Sequence, residues 1–110
     1  MVKHTFSVKS IIPPAKRPRK GRYGNIYSPN KSDRAGLTME LRAQWSGRPL
    51  ECKLSLTVAN AGNPRSDIDN ILKTTMDSLQ EAGIVKNDKQ IRSVKYVEGA
   101  ELTLLQLEEI

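Results

Sequence analysis

Leu50, Cys52, Leu54, Leu56 and Val58 are apolar at every second position, with Glu51, Lys53, Ser55 and Thr57 between them. A period of two sets all five on one face of a strand, so this stretch requires a sheet with one face buried against another layer. The layer follows in the chain. After a breaker segment at 59–65 (Ala-Asn-Ala-Gly-Asn-Pro-Arg), Ile68, Ile71, Leu72, Thr75, Met76 and Leu79 recur at helical spacing. Ser66 or Asp67 is the expected N-cap, and Ala82-Gly83 closes the helix.

The remaining elements are weaker but orderly. Phe6, Val8 and Ile12 alternate loosely over 3–12, a strand that Pro13-Pro14 must end because proline donates nothing to a ladder. Residues 15–30 contain Lys, Arg, Pro, Gly, Tyr, Asn and Ser with almost no aliphatic side chain, so they read as a long loop. Ser32 or Asp33 would cap a first helix with Leu37, Leu41, Gln44 and Trp45 on one side and Gly47 at its end. Residues 90–97 and 101–107 read as two strands joined as a hairpin at Glu98-Gly99-Ala100. This order predicts an α+β fold, a small mixed β-sheet with two main helices packed on it. At 110 residues a single domain over 1–110 is expected, with a basic loop at 13–30 inside it.

Composition narrows the function classes. Lys and Arg number 18 against 12 Asp and Glu, a net charge of +6 concentrated toward the N-terminus, which favours a polyanionic partner over a neutral metabolite. One cysteine, Cys52, excludes an internal disulfide, and with the single His4 it excludes a multi-Cys/His zinc site within one chain. No apolar run is long enough to cross a bilayer and the N-terminus lacks a secretory pattern, so the expectation is a cytoplasmic protein with no membrane partner.

The chemistry gathers in Ser66-Asp67-Ile68-Asp69-Asn70-Ile71-Leu72-Lys73, with a further acid, Asp88, in Lys86-Asn87-Asp88-Lys89-Gln90. On a helix, Asp69 and Lys73 lie one turn and about 40° apart, at the border of the apolar stripe and facing a groove. Carboxylates crowded together repel unless a cation sits between them. Oxygen ligands favour Mg2+, and such an ion with a nearby ammonium suits phosphodiester hydrolysis. By spacing alone the alternative stands: Asp67 as a plain cap, and Asp69 with Lys73 as a surface pair worth ~0.3–0.5 kcal/mol. A calcium loop does not fit, since a third oxygen ligand and its glycine are missing. Antiparallel packing of the helix on the next strand would leave Asp88 near the far helix end.

Asp67-Ile68-Asp69-Asn70-Ile71-Leu72-Lys73, then Asp77, Leu79, Ala82-Gly83 and Asn87-Asp88-Lys89-Gln90, resembles the signature of the RusA-type Holliday-junction resolvases. The likeness is close over 63–97 and looser in the basic segment. It implies Asp67, Asp69 and Asp88 as catalytic, Mg2+-binding acids and Lys73 as the catalytic lysine. It also implies a homodimer that resolves four-way junctions by paired nicks, in DNA recombination and repair, with a prokaryotic, phage or prophage origin. No organic cofactor is expected. At the second acid position, often aspartate in the family, this chain has Asn87.

Lys16, Arg17, Arg19, Lys20 and Arg22, spaced by Pro18 and Gly21, are the candidate DNA-binding residues, holding phosphates with little base preference. Tyr23 or Tyr27 would stack on an unpaired base or pack at the ends of the loop. Two readings compete with a junction resolvase: a non-catalytic basic nucleic-acid-binding protein, and a nuclease for flaps or forks. Cys52 is expected in the core, His4 as a solvated strand residue, and Trp45 in the core or at a dimer interface. Asp77 has no assigned role.

Overall fold

In the computed structural model the described residues are 2–9, 12, 34–62 and 67–110, with the backbone alone of 19–20 and 26–27. The elements in chain order are β1 (Lys3–Val8), β2 (Arg19–Lys20), β3 (Ile26–Tyr27), α1 (Ala35–Ala43), β4 (Leu54–Ala61) and α2 (Ile68–Glu81). A 3-10 turn (Asp88–Gln90), β5 (Ile91–Ala100) and β6 (Thr103–Glu109) complete them. The main sheet has the order β1-β6-β4-β5. β4 pairs antiparallel with β6 and parallel with β5, and β6 pairs antiparallel with β1, so the sheet is mixed, as expected.

The core lies between one face of this sheet and the helices. Leu54, Leu56 and Val58 of β4, Leu105 and Leu107 of β6 and Phe6 and Val8 of β1 meet Leu37 and Leu41 of α1 and Ile71 and Leu79 of α2. Each such side chain contributes roughly 1.5–3 kcal/mol on full burial. Ser55, Thr57 and Ala59, one residue out of phase, are half-buried on the opposite face.

Three expectations change. The strand read from Leu50 begins at Leu54, and Leu50 makes only an isolated parallel bridge to Val85. At its other end β4 runs through Ala59-Asn60-Ala61, which read as a breaker. Asn60 is buried but satisfied: its Nδ2 donates to Tyr96 Oη (3.1 Å), and its Oδ1 accepts from Thr103 Oγ1 (3.3 Å). Thr103 Oγ1 in turn accepts from the Ala61 N–H (3.0 Å). Gly62, at φ 72°, then turns the chain away. The expected hairpin between the last two strands is absent, because β5 and β6 lie on either side of β4 and the chain crosses beyond the end of β4. The segment read as a loop at 15–30 contains the two-residue antiparallel pair β2 and β3.

Side chains of α1 secure the β1 edge. Gln44 Nε2 donates to Ser7 O (2.7 Å) while its Oε1 accepts from Ser7 N (2.9 Å), and Glu40 Oε1 accepts from Lys9 N (3.0 Å). Gln44, read as part of an apolar face, is thus an edge cover. Trp45 is core-side: its ring is tilted on Phe6 at 6.1 Å and packs against the core cluster.

Candidate active site

Asp67 occupies the N-cap position of α2 with extended backbone (φ −64°, ψ 143°), yet its side chain makes no cap hydrogen bond. Asp69, in the first turn, accepts a hydrogen bond from the N–H of its neighbour Asn70 (3.0 Å). Lys73 follows one turn later, and all three side chains are exposed. Neither Asp69 nor Lys73 enters an ion pair among the described residues.

A groove is expected at Asp69 and Lys73, but among the described residues both stand on an exposed face of α2. The buried face of α2 is Ile71, Thr74, Thr75, Ser78 and Leu79, whereas Ile68 is 47% exposed. Asp69 stands about 160° around the axis from Ile71, nearly opposite the stripe. The apolar pattern points to a different phase because Ile68, Leu72 and Met76 outweigh the small polar Thr74 and Ser78, which lie buried on the face that packs.

Asp88 begins the 3-10 turn before β5, and its surroundings are built by two neighbours. Asn87 caps that turn by accepting from Lys89 N (2.9 Å). Gln90 Oε1 accepts from Lys86 N (2.9 Å) and Asn87 N (2.8 Å), while its Nε2 donates to Leu50 O (2.7 Å) and Cys52 O (2.9 Å). Sequence reasoning gave Gln90 no task; the reciprocal cap, Asn followed three residues later by Gln, was the signal for it.

The turn and the helix start lie at opposite ends of the sheet. The C-terminal end of α2 is fixed beside the entry to β4, since Leu79 O accepts from Ile84 N (3.0 Å) and Ile84 O accepts from Leu50 N (2.8 Å). A 14-residue α2 spans about 20 Å, which separates Asp88 from Asp67 and Asp69 by roughly that length. Accordingly, among the described residues no group of three or more His, Cys, Asp or Glu is placed to hold a metal ion. Asp67 and Asp69 have the oxygen chemistry a hard cation takes, but the three acids of one chain do not fit around one ion.

Two further clusters border the helices and strand ends. Arg34 pairs with Glu81, which also accepts from Thr38 Oγ1 (3.3 Å), and Arg42 reaches the Glu81 carbonyl (2.8 Å), tying α1 to the end of α2. Glu109 accepts from Cys52 Sγ (3.2 Å) and pairs with His4 Nε2 (3.2 Å). These two contacts, the thiol first, hold the Glu109 carboxyl below the usual range, and burial followed by Glu109 pushes the Cys52 thiol up. His4 is therefore half-buried between Glu109 and the Trp45 ring (5.3 Å, edge-on), and Cys52 sits at the rim of the core.

Of the candidate DNA-binding residues, Lys16, Arg17 and Arg22 lie outside the described residues. Arg19 and Lys20 form β2, opposite Tyr27 and Ile26. No helix among the described residues is long and apolar enough to cross a membrane.

Comparison with known proteins adds a family to this geometry. The family described as Endodeoxyribonuclease RusA matches residues 11–102. The chain is also 28% identical over 107 residues to the Crossover junction endodeoxyribonuclease RusA of Aquifex aeolicus (strain VF5), covering 90% of this chain and 85% of that protein. The matched span holds both acidic segments, Lys73 and the basic stretch. The chain belongs to the RusA family of endodeoxyribonucleases, enzymes that resolve Holliday junctions.

Proposed function

We propose that the protein is a Mg2+-dependent resolvase that acts as a homodimer, nicking paired strands of a four-way junction during recombination and repair. Asp67 and Asp69 of one protomer with Asp88 of its partner would be its metal-binding acids, since the three in one chain stand too far apart to share an ion. Lys73 would set an ammonium on the outward face of α2, where negative charge developing on a phosphodiester meets it. The basic segment from Lys16 to Arg22 would hold the DNA arms through phosphates, leaving selection of the junction to its shape.

One observation carries this reading. Asp67 makes no cap bond and Asp69 no ion pair among the described residues, so neither carboxylate serves the structural role that its position offers. Exposed acids at a helix start, in a chain of net charge +6, are poorly placed for phosphate contact unless a cation intervenes. Two carboxylates with substrate oxygens are a usual ligand set for Mg2+.

Substrate choice is tested by comparing a synthetic four-way junction, a flap and a linear duplex at one salt concentration. Preferential paired nicking of the junction is expected. Equal or faster cutting of the flap would move the assignment to another branched substrate.

A further inference from the structure

The entry end of β4 carries positive charge that neither the packing nor the acidic motif uses. Residues 86–92 (Lys-Asn-Asp-Lys-Gln-Ile-Arg) set Lys86, Lys89 and Arg92 around one acid, Asp88, and Arg48 precedes β4 on the facing segment. All five side chains are exposed. Between the two segments the surface is hollowed. A cavity of about 560 Å3 has Arg48 and Glu109 in its wall, and a second of about 420 Å3 has Asn87 and Gln90. Glu51 and Lys86 line both, so the two form one groove, which ends at the turn that carries Asp88. Each hollow falls within the size range of ligand sites, roughly 300–1,000 Å3.

The groove is disposed to take an anion. Its acid Glu109 is occupied by Cys52 and His4. Arg48 enters no ion pair among the described residues, and the Lys86 ammonium meets only Glu51 (3.3 Å). With side chains 71% and 74% exposed, that pair is a weak one, which an incoming phosphate can displace. Gln90 removes a further obstacle, because its Nε2 donates to the carbonyls of Leu50 and Cys52, whose lone pairs would otherwise repel an anion. We propose that this groove is a phosphate subsite for one DNA strand, with Arg48 and Lys86 gripping the backbone beside the phosphodiester that is cut. This rests on the resolvase reading above for the use of Asp88, while the subsite itself is argued from the groove and its charges.

The order of charges along the groove favours a strand over a small anion. Arg48 stands in the first hollow, Lys86 where the hollows meet, and Asp88 on the turn beyond. A DNA backbone offers phosphates in such a row, whereas an isolated anion would engage one cation and leave the other idle. Contacts of this kind carry no base information, so the groove fixes where the strand lies and leaves sequence unread. Its task differs from that of the segment from Lys16 to Arg22: that segment holds the arms, and the groove seats the strand at the site of the cut.

The test uses synthetic four-way junctions in which single phosphates around the branch point are replaced, one at a time, by uncharged methylphosphonates. Binding is measured without divalent metal. Wild type should lose about 5–10-fold in affinity at one or two positions within a few nucleotides of its cut. In the double variant Arg48→Ala, Lys86→Ala the slope of log affinity against log salt should be smaller by about 2, and those positions should no longer respond. Exposed substitutions of this kind leave the fold intact. Positions that weaken wild type and the double variant equally overturn the proposal, as does an unchanged salt slope or sensitive positions confined to the distant arms. Arg92→Ala removes an exposed cation that lines neither hollow, and should keep the wild-type pattern of sensitive positions; their loss there would count against the groove. Glu51→Gln should tighten junction binding about two- to fivefold by freeing Lys86, and a gain that persists in a Lys86→Ala background would contradict the displacement. Nicking is scored separately: a wild type that binds with this pattern and cuts nothing sinks the resolvase reading and leaves the phosphate subsite standing.

Discussion

Gln90 shows how much one side chain can decide at the residue scale. It accepts from two backbone N–H groups and donates to two carbonyls, joining the turn that carries Asp88 to the entry of β4. Gln90→Ala strands several of these groups and should cost about 2–4 kcal/mol, read as a lower urea midpoint; a change below ~0.5 kcal/mol would contradict the clamp. Lys73→Ala should lower turnover by ~10²-fold or more with junction affinity little changed, and a wild-type rate would remove its assignment. Lys73 was legible from D-x-D-N-x-x-K, whereas Gln90 was passed over although the Asn-x-x-Gln pair carries the signal of its cap. Their geometry was less so: Thr74 and Ser78 are buried although polar, and counting only large apolar residues rotated the helix enough to turn Asp69 and Lys73 toward a groove.

At the scale of elements, the polar links at the strand ends set limits that apolar patterning misses. Asn60 joins Tyr96 of β5 to Thr103 of β6 across β4. Asn60→Ala should therefore destabilise by about 1–3 kcal/mol through partners left unsatisfied, measured by urea denaturation, and a neutral effect would mean that the strand end does not depend on the network. Another link, Glu109 to Cys52 and His4, gives a pH signature. The folded Glu109 carboxyl titrates below its unfolded value, so its stabilisation is present above the ordinary carboxylate range and is lost as pH falls through the folded pKa. Glu109→Gln should flatten that acid limb of the stability profile; an unchanged limb would contradict the link. The core of β4 was legible because its alternation is unbroken, and α2 was legible as a helix though not in its phase. Strand neighbours were not, since the pattern along β5 and β6 marks them as strands and says nothing about which strand lies between them.

For the whole molecule, charge and symmetry carry the remaining claims. If the basic segment contacts phosphates, replacing Arg17 and Arg19 with Ala should weaken junction binding and reduce the slope of log affinity against log salt by about 2; an unchanged slope would clear that segment of phosphate contact. The α+β class and the family were legible from the order of elements and the acidic motif. The separation of Asp88 from Asp67 and Asp69 was legible as well, from antiparallel packing of a 14-residue helix on the next strand; how the three acids come to act together was not, because the pattern of one chain is silent on contacts between copies. The most direct test is cleavage of a synthetic four-way junction in Mg2+ by wild type beside Asp69→Asn, with junction binding measured on both. Paired nicking by wild type alone is predicted, with binding by the variant equal or tighter because a negative charge facing phosphate is gone. Wild-type protein that binds the junction without cutting it, or an Asp69→Asn protein that cuts as fast as wild type, would contradict the account.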